Sequence, residues 1–247
     1  MAQSHGDRVQ LKLPSIPSHV LQPANLEVLY HHLSGMRFGV EKEGLRVNAK
    51  TGELAQTPHP NALGSALTHP HITTDYSEAL LEFVTGTHSS PQGAISQLEQ
   101  LQTFASSVLE NERIWPLSMP CVLPDSDADI PLAYYGESHI GRLKTVYRRG
   151  LGFRYGRQMQ TIAGVHFNLS FSDDFWRWKA SLGAHPGEPD IRTIRDTGYL
   201  QTIRNFRRIQ WLIMLLTGSS PSVDESFRLL ATDRFRISGR TRLAEGA

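Results

Sequence analysis

Two kinds of alternation between apolar and polar positions divide the chain into predicted strands and helices. A period of two over residues 38–47 and again over 165–171 is typical of strands with two different faces. Residues 75–84 fit either a strand or a helix. Apolar residues recur every three or four positions in three further segments, which we predict to be helices: 23–33, 90–113 and 191–216.

The segments outside this periodicity give three further predictions. Residues 1–22 show no clear period and are predicted to be a flexible N-terminal lead-in. Residues 115–131 contain four prolines and are predicted to form an extended loop. The most apolar run, residues 211–216, is too short to span a membrane, and we predict that it is part of a buried helix.

Composition and charge narrow the class of protein. The 247 residues are 39% hydrophobic, enough for a packed core, and 25 basic residues against 24 acidic ones leave a net charge of only +1. Such a balance indicates neither a nucleic acid nor a membrane surface as partner. The single cysteine, Cys121, excludes an intramolecular disulfide, fits a cytoplasmic location and is predicted to be buried.

Acidic residues interrupt two of the predicted elements. Glu41 and Glu43 are two positions apart on the first strand, so they project from the same face. Alone, this pair is also typical of a solvated strand face with local ion pairs. Asp75, Glu78 and Glu82 share a face whichever structure their segment adopts, and we expect these three side chains to converge.

His166 lies on the second predicted strand. Its polar neighbours Asn168 and Ser170 fall on the same face, while the intervening residues are apolar, which predicts one face in the core and one lining a wet site. The histidine is equally compatible with a structural role and with a metal ligand. Several carboxylates and one imidazole favour a hard cation such as Mg²⁺ or Mn²⁺ over zinc.

A stretch without any acidic residue follows Ser138 and extends to Ser172. Guanidinium groups suit the capture of carboxylates or phosphates, so an anion site opposite the metal site is one interpretation. A basic surface helix and, less strongly, a nucleic-acid surface remain alternatives. The stretch contains six basic residues: Arg142, Lys144, Arg148, Arg149, Arg154 and Arg157. Walker A, G-x-G-x-x-G, G-x-S-x-G and H-E-x-x-H motifs do not occur in the sequence, which removes several common enzyme classes.

Seven sequence blocks in fixed order resemble one enzyme family. They include Glu-Lys-Glu-Gly-Leu-Arg-Val-Asn at 41–48, and the others are 59–69, 72–83, 113–121, 141–151, 154–156 and 159–168. Together they closely resemble the proteobacterial glutamate–cysteine ligases, also called γ-glutamylcysteine synthetases, over residues 24–223. The resemblance implies an α+β fold: a glutamine-synthetase-like antiparallel sheet with helices packed on one face, of which this chain holds part.

The resemblance also implies a reaction and the residues that serve it. In that family ATP phosphorylates the side-chain carboxylate of glutamate, and the amine of cysteine attacks the acyl phosphate in the first step of glutathione biosynthesis. Arg148 would meet the glutamate carboxylate or the transferring phosphate. The expected ligands of Mg²⁺ or Mn²⁺ are Glu41, Glu43, Asp75, Glu82 and His166. The expected cysteine pocket consists of Tyr76, Tyr147, Leu151 and Gln160.

The resemblance ends before the chain does, which leaves alternatives open. Residues 23–223 are expected to be the N-terminal part of a ligase catalytic domain, and residues 224–247 an atypical tail. A truncated inactive remnant and one half of a split ligase are two alternatives to an active ligase. A third is a metal-dependent phosphoesterase that uses the same carboxylates. The sequence does not indicate an oligomeric state.

Overall fold

The protein is represented by a computed structural model that describes residues 23–182, 190–218 and 223–227. The predictions for residues 1–22 and for 228–247 of the tail fall outside this part. Helices and strands follow one another in this order: α1 (Pro23–Leu33), β1 (Arg37–Asn48), β2 (Ile72–Thr74), β3 (Leu80–Val84), α2 (Pro91–Val108), β4 (Glu112–Ile114), α3 (His139–Tyr155), β5 (Val165–Ser170), α4 (Asp173–Ser181) and α5 (Ile191–Thr217).

The long strand β1 organises an antiparallel sheet in the described part of the chain. It lies between β3 and β4, β2 pairs with the far side of β3, and β5 pairs with the N-terminal half of β1. Glu43 lies opposite Glu82 on β3, and Glu41 lies opposite His166 on β5. The predicted α+β class with an antiparallel sheet is therefore confirmed.

Helix α2 covers one face of the sheet. Alternate positions of β1 and β3 direct Val40, Leu81 and Phe83 into a core with the buried side of α2. Ser90 caps the helix, because its hydroxyl accepts a hydrogen bond from the N–H of Gly93, and Pro91 occupies the first turn. The sheet therefore has one face closed by a helix, and its opposite face is left for other side chains.

The opposite face changes character along β1. At the C-terminal end, Leu45 lies opposite Leu80, and both belong to a buried cluster that also contains Tyr76 and Cys121. The predicted burial of Cys121 is thus confirmed, with 1% of the residue exposed. Two residues earlier on the same face, the apolar side chains give way to Glu43. Glu43 therefore lies directly beside a hydrophobic core, on the same face of the sheet.

Tertiary pairing changes two of the predicted elements. The helix predicted over residues 90–113 ends at Val108, because Glu112–Ile114 turns into β4 and pairs with the end of β1. A buried ion pair between Arg46 and Glu112 joins the same two strands. The ambiguous segment 75–84 forms a turn followed by β3, and the hydroxyl of Ser77 accepts a hydrogen bond from the N–H of Leu80.

Two predictions of burial are wrong. Helix α5 forms as predicted, but every residue from Trp211 to Leu216 is between 38% and 73% exposed. Its tightest packing is near the other end, where a Cβ at Gly198 would meet the ring of buried Trp176. The apolar face of β5 is likewise exposed, at 56% for Phe167. No helix in the described part of the chain combines the length and the hydropathy needed to cross a membrane.

Candidate active site

Three neighbouring strands bring acidic side chains and a histidine to one face. Residues directly opposite each other in an antiparallel pair project to the same side, so the pairs Glu43–Glu82 and Glu41–His166 share a face. The spacing of two between Glu41 and Glu43 keeps both on that face. The structure therefore brings together four of the side chains that the sequence singled out.

Hydrogen bonds fix two of the carboxylates. Glu41 accepts from Asn168 Nδ2 at 2.8 Å, and its other oxygen lies 3.1 Å from His166 Nδ1. Glu43 accepts from the backbone N–H of Gly164 at 2.7 Å. The loop before β5 and the polar face of β5 therefore hold these carboxylates in place.

The electrostatics show that the carboxylates are crowded. Burial, together with the nearby charges of Asp75, Glu43 and Glu41, raises the pKa of Glu82 to about 7. Burial also raises the pKa of Glu43, although the Gly164 N–H opposes that shift. The hydrogen bond to Glu41 raises the pKa of His166. This face therefore carries unbalanced negative charge when its acids are ionised.

Arg148 lies at the margin of the acidic face. Its Nε donates to the backbone carbonyl of Asp75, and one terminal nitrogen lies 3.8 Å from the carboxylate of the same residue. The guanidinium also stacks on Tyr135, with Cζ 4.7 Å from the ring centroid. Arg148 therefore lies beside the acidic face, in contact with Asp75.

The four residues expected to form a cysteine pocket are distributed over three elements. Tyr76 is buried, and Leu151 packs against the same cluster. Tyr147 is one turn before Leu151 on α3 and is exposed, while Gln160 lies in the 3-10 turn Gln158–Thr161. Helix α3 packs closely on Tyr76 at Gly152, because a Cβ at this position would overlap the Tyr76 hydroxyl oxygen.

Glu78 does not join the other acids, and the predicted convergence of Asp75, Glu78 and Glu82 is wrong for this residue. Its carboxylate accepts hydrogen bonds from the backbone N–H groups of His59 and Tyr134, both at 2.5 Å. The turn before β3 directs Glu78 away from the strand register that the sequence pattern assumed. Its role in the structure is to join two loops.

Arg46 is the charged residue that the sequence reasoning missed. It is fully buried, donates to the carbonyls of Thr57, Pro58 and Glu78, and pairs with Glu112. A basic residue inside the apolar run of β1 was the available signal, since a buried guanidinium requires several acceptors. It supports the loop beside the site without facing the acidic group.

The acidic group does not form a closed coordination shell. Within residues 23–182, 190–218 and 223–227, no three side chains of His, Cys, Asp and Glu are arranged so that they could hold a metal ion. The carboxylates share a face and influence each other's pKa, but their oxygens do not converge on one point.

Carboxylates from neighbouring strands, with a histidine beside them and an arginine at the margin, are typical of enzymes that act on phosphorylated or carboxylate substrates. Comparison with known proteins specifies the class. The glutamate–cysteine ligase family model matches residues 23–242. A glutamate–cysteine ligase of Azotobacter vinelandii is 51% identical over 207 residues, which are 83% of this chain and 38% of that protein. One from Bordetella petrii is 54% identical over 189 residues, 76% of this chain and 34% of that protein.

Solved structures agree with this class. A glutamate–cysteine ligase from Francisella tularensis in complex with AMP has a TM-score of 0.57 and 43% identity, covering 60% of this chain and 29% of that one. A bifunctional glutathione synthetase from Pasteurella multocida has a TM-score of 0.69 and 30% identity, covering 77% of this chain and 24% of that one. The chain therefore belongs to the glutamate–cysteine ligase family. It spans less than two fifths of the curated relatives named above.

Proposed function

We propose that the chain serves the ATP-dependent ligation of glutamate, through its side-chain carboxylate, to cysteine. The observation that carries this proposal is the strand register, which gathers Glu41, Glu43, Glu82 and His166 on one face with Arg148 at its margin. Family membership supports the same reaction and gives no support to the alternative phosphoesterase. The products would be γ-glutamylcysteine, ADP and phosphate.

The donor set fits a hard divalent cation. We propose that Glu41, Glu43, Asp75, Glu82 and His166 hold Mg²⁺ or Mn²⁺. These ions prefer oxygen-rich donors, and a cation would offset the repulsion that, after burial, raises the pKa of Glu82. When bound, the metal would neutralise phosphate charge. Small movements of the carboxylates would have to accompany binding, because the described oxygens do not converge.

Arg148 would hold the anionic group that reacts. Its guanidinium is fixed by the Asp75 carbonyl and by the Tyr135 ring, so little side-chain freedom would be lost on binding. A planar guanidinium presents two N–H groups to a carboxylate or a phosphate at once. We assign it to the glutamate carboxylate that is phosphorylated or to the phosphate in transfer.

The cysteine substrate would occupy a pocket shaped by Tyr76, Tyr147, Leu151 and Gln160. Tyr147 and Leu151 are four residues apart on α3, so they lie on one side of that helix. Leu151 also contacts the cluster that contains Tyr76. An apolar wall with hydroxyl and amide groups suits a small thiol amino acid.

The substrates and the location follow from this reaction. Glutamate, cysteine and ATP would be the small-molecule partners, and we propose no role for nucleic acid or a membrane. The reaction requires ATP and a free substrate thiol, both of which the cytoplasm supplies, so we propose a cytoplasmic location.

The test is an assay of ADP formation with Mg²⁺, ATP, glutamate and cysteine. We expect ADP only when both amino acids are present. Glu43→Gln should lower the rate at least about 100-fold, because it removes a charge from the proposed metal site. Glu99→Gln, on an exposed position of α2, is the matched control and should leave the rate unchanged. Phosphate release without amino acids, or an unchanged rate in Glu43→Gln, would contradict the proposal.

A further inference from the structure

Tyr135 lies against two basic side chains of α3. Lys144 Nζ is 4.9 Å and Arg148 Cζ is 4.7 Å from the centroid of its ring. Tyr135 as a whole is only 5% exposed, and its hydroxyl lies within hydrogen-bonding distance of the backbone carbonyls of Thr74 and Asp75, which accept. The aromatic ring is therefore fixed in position beside the backbone of Asp75, whose side chain belongs to the acidic face.

Within the described residues, several basic residues of α3 have no acidic partner; among them Lys144 is half-buried and contacts the Tyr135 ring, whereas Arg149 and Arg154 are exposed. Arg142 pairs with Glu137 at 2.7 Å, and Arg157 donates to two backbone carbonyls of the loop before α3. Arg148 lies beside the Asp75 carboxylate. Across the described part of the chain, no carboxylate lies within ion-pairing distance of Lys144. Lys144 thus has an aromatic contact and no counter-charge.

Helix geometry aligns this unbalanced charge with Arg148. The two residues are four apart on α3, so their side chains lie on the same side of the helix. Contact with an aromatic face attracts an ammonium group but leaves its three N–H donors available for other acceptors. The acidic residues of the site are not among the partners of Lys144, so a further anion would bring the missing negative charge.

We propose that Lys144 is a further substrate-binding residue, which holds an anionic oxygen group of the substrate together with Arg148. This inference rests on the proposed ligase function and deepens it. The ligand chemistry is a carboxylate or a phosphate, supplied by the amino-acid substrate or by the nucleotide. The flexible stem of lysine suits a single-point contact, while the fixed guanidinium of Arg148 provides the oriented one.

A purely structural role is the competing explanation. The methylene stem of a lysine packs on aromatic surfaces while its head group remains in water. In that case the ammonium would contribute nothing to ligand affinity. Lys144→Met distinguishes the two roles, because methionine keeps an unbranched apolar stem against the ring and removes only the charge.

The experiment is isothermal titration calorimetry, which measures the Kd of the full chain for L-glutamate and, separately, for ADP in the presence of Mg²⁺. Lys144→Met should weaken the binding of one ligand at least about tenfold, the loss expected for a charge-assisted contact. Lys144→Arg should restore most of the affinity. Arg142→Met, on the same helix but paired with Glu137, is the matched control and should bind as the unmodified chain does.

The affected ligand identifies the anion: weaker glutamate binding assigns a carboxylate, and weaker ADP binding assigns a phosphate. Equal affinities in Lys144→Met and the unmodified chain would overturn the inference, as would the absence of binding of both ligands by the unmodified chain. A chain that binds glutamate through Lys144 but forms no γ-glutamylcysteine would refute the proposed function and leave this inference standing.

Discussion

Among the carboxylates of the acidic face, ionisation is opposed most strongly at Glu82, whose pKa is raised to about 7. It is half-buried directly opposite Glu43, with Asp75 and Glu41 near enough to add to the shift in its pKa. Like charges opposite each other on a sheet destabilise the pair. Natural proteins commonly retain such unfavourable groups where function requires them.

This cost predicts how stability depends on pH in the absence of metal. The pKa of Glu82 is raised from 4.5 to about 7, so the folded state favours the protonated form. The contribution of Glu82 to the free energy of unfolding is therefore fully present below pH 4.5 and is lost as pH rises through 7. Glu82→Gln should stabilise the chain at pH 8 in EDTA by about 1 kcal/mol, after allowance for solvent screening. At pH 4.5 the substitution should have little effect.

Thermal unfolding at both pH values measures the difference. About 1 kcal/mol corresponds to a rise in Tm of roughly 2–4 °C for a chain of this size. Glu99→Gln on the exposed side of α2 is the control and should not change Tm. The same change in Tm at pH 8 and pH 4.5 would show that ionisation of Glu82 does not destabilise the fold.

At the scale of elements, helix α3 depends on its close approach to the core. Gly152 faces the Tyr76 hydroxyl, whereas no atom lies within 4 Å of a Cβ placed at Gly150. We predict that Gly152→Ala destabilises the chain by about 2 kcal/mol, because the buried Tyr76 ring has little room to move. Gly150→Ala should stabilise it by roughly 0.5–1 kcal/mol through helix propensity.

Denaturant unfolding of these two variants checks the packing of α3. The pair is well matched, because the same methyl group is added two residues apart on one helix. A similar effect of both substitutions would contradict the described contact between α3 and Tyr76. The Gly152 variant should also raise the KM for cysteine, since Tyr76 is assigned to the cysteine pocket.

Elements were predictable from the sequence where local pattern and tertiary pairing agree. The alternation of residues 38–47 predicted β1, and the spacing of Glu41 and Glu43 predicted a shared face. The pattern failed at residues 109–114, where helical periodicity continues but pairing with β1 produces β4. No local signal could reveal that pairing, because the partner strand is more than 60 residues away.

The acidic site was likewise predictable only in part from the sequence. Strand register fixed the relation of Glu43 to Glu82, but the turn at residues 75–79 directed Glu78 elsewhere. The side-chain periodicity of a strand or a helix does not apply through a turn. Five metal ligands and four pocket residues came from family resemblance, and their roles stay predictions.

At the scale of the whole molecule, apolar surface is unevenly distributed. The C-terminal half of α5 exposes large apolar side chains on all sides, with Trp211 at 62% and Leu215 at 71%. A helix that is apolar all round is ordinarily buried, and large exposed patches promote binding of other apolar groups. The sequence pattern predicted burial here because the apolar residues of α5 favour contact with other apolar groups. The pattern does not indicate which part of the molecule, or which partner, would cover them.

This surface predicts that the chain binds the dye 8-anilinonaphthalene-1-sulfonate while it is folded. Replacing Trp211 and Leu215, which are four residues apart, with Gln should lower the dye fluorescence by about half, since part of the patch is removed. Helix content from circular dichroism serves as the control and should stay constant. Unchanged fluorescence in this double variant would show that the dye binds elsewhere.

We propose above that strands β1, β3 and β5 assemble a site for a hard divalent cation. The most direct test is Mn²⁺ binding, followed by the loss of the free-ion signal in electron paramagnetic resonance, with Glu43→Gln, Glu82→Gln and the control Glu99→Gln. The first two variants should bind Mn²⁺ at least about tenfold more weakly than the unmodified chain, and the control should bind equally well. Equal affinity in all four proteins would show that these carboxylates do not hold the ion.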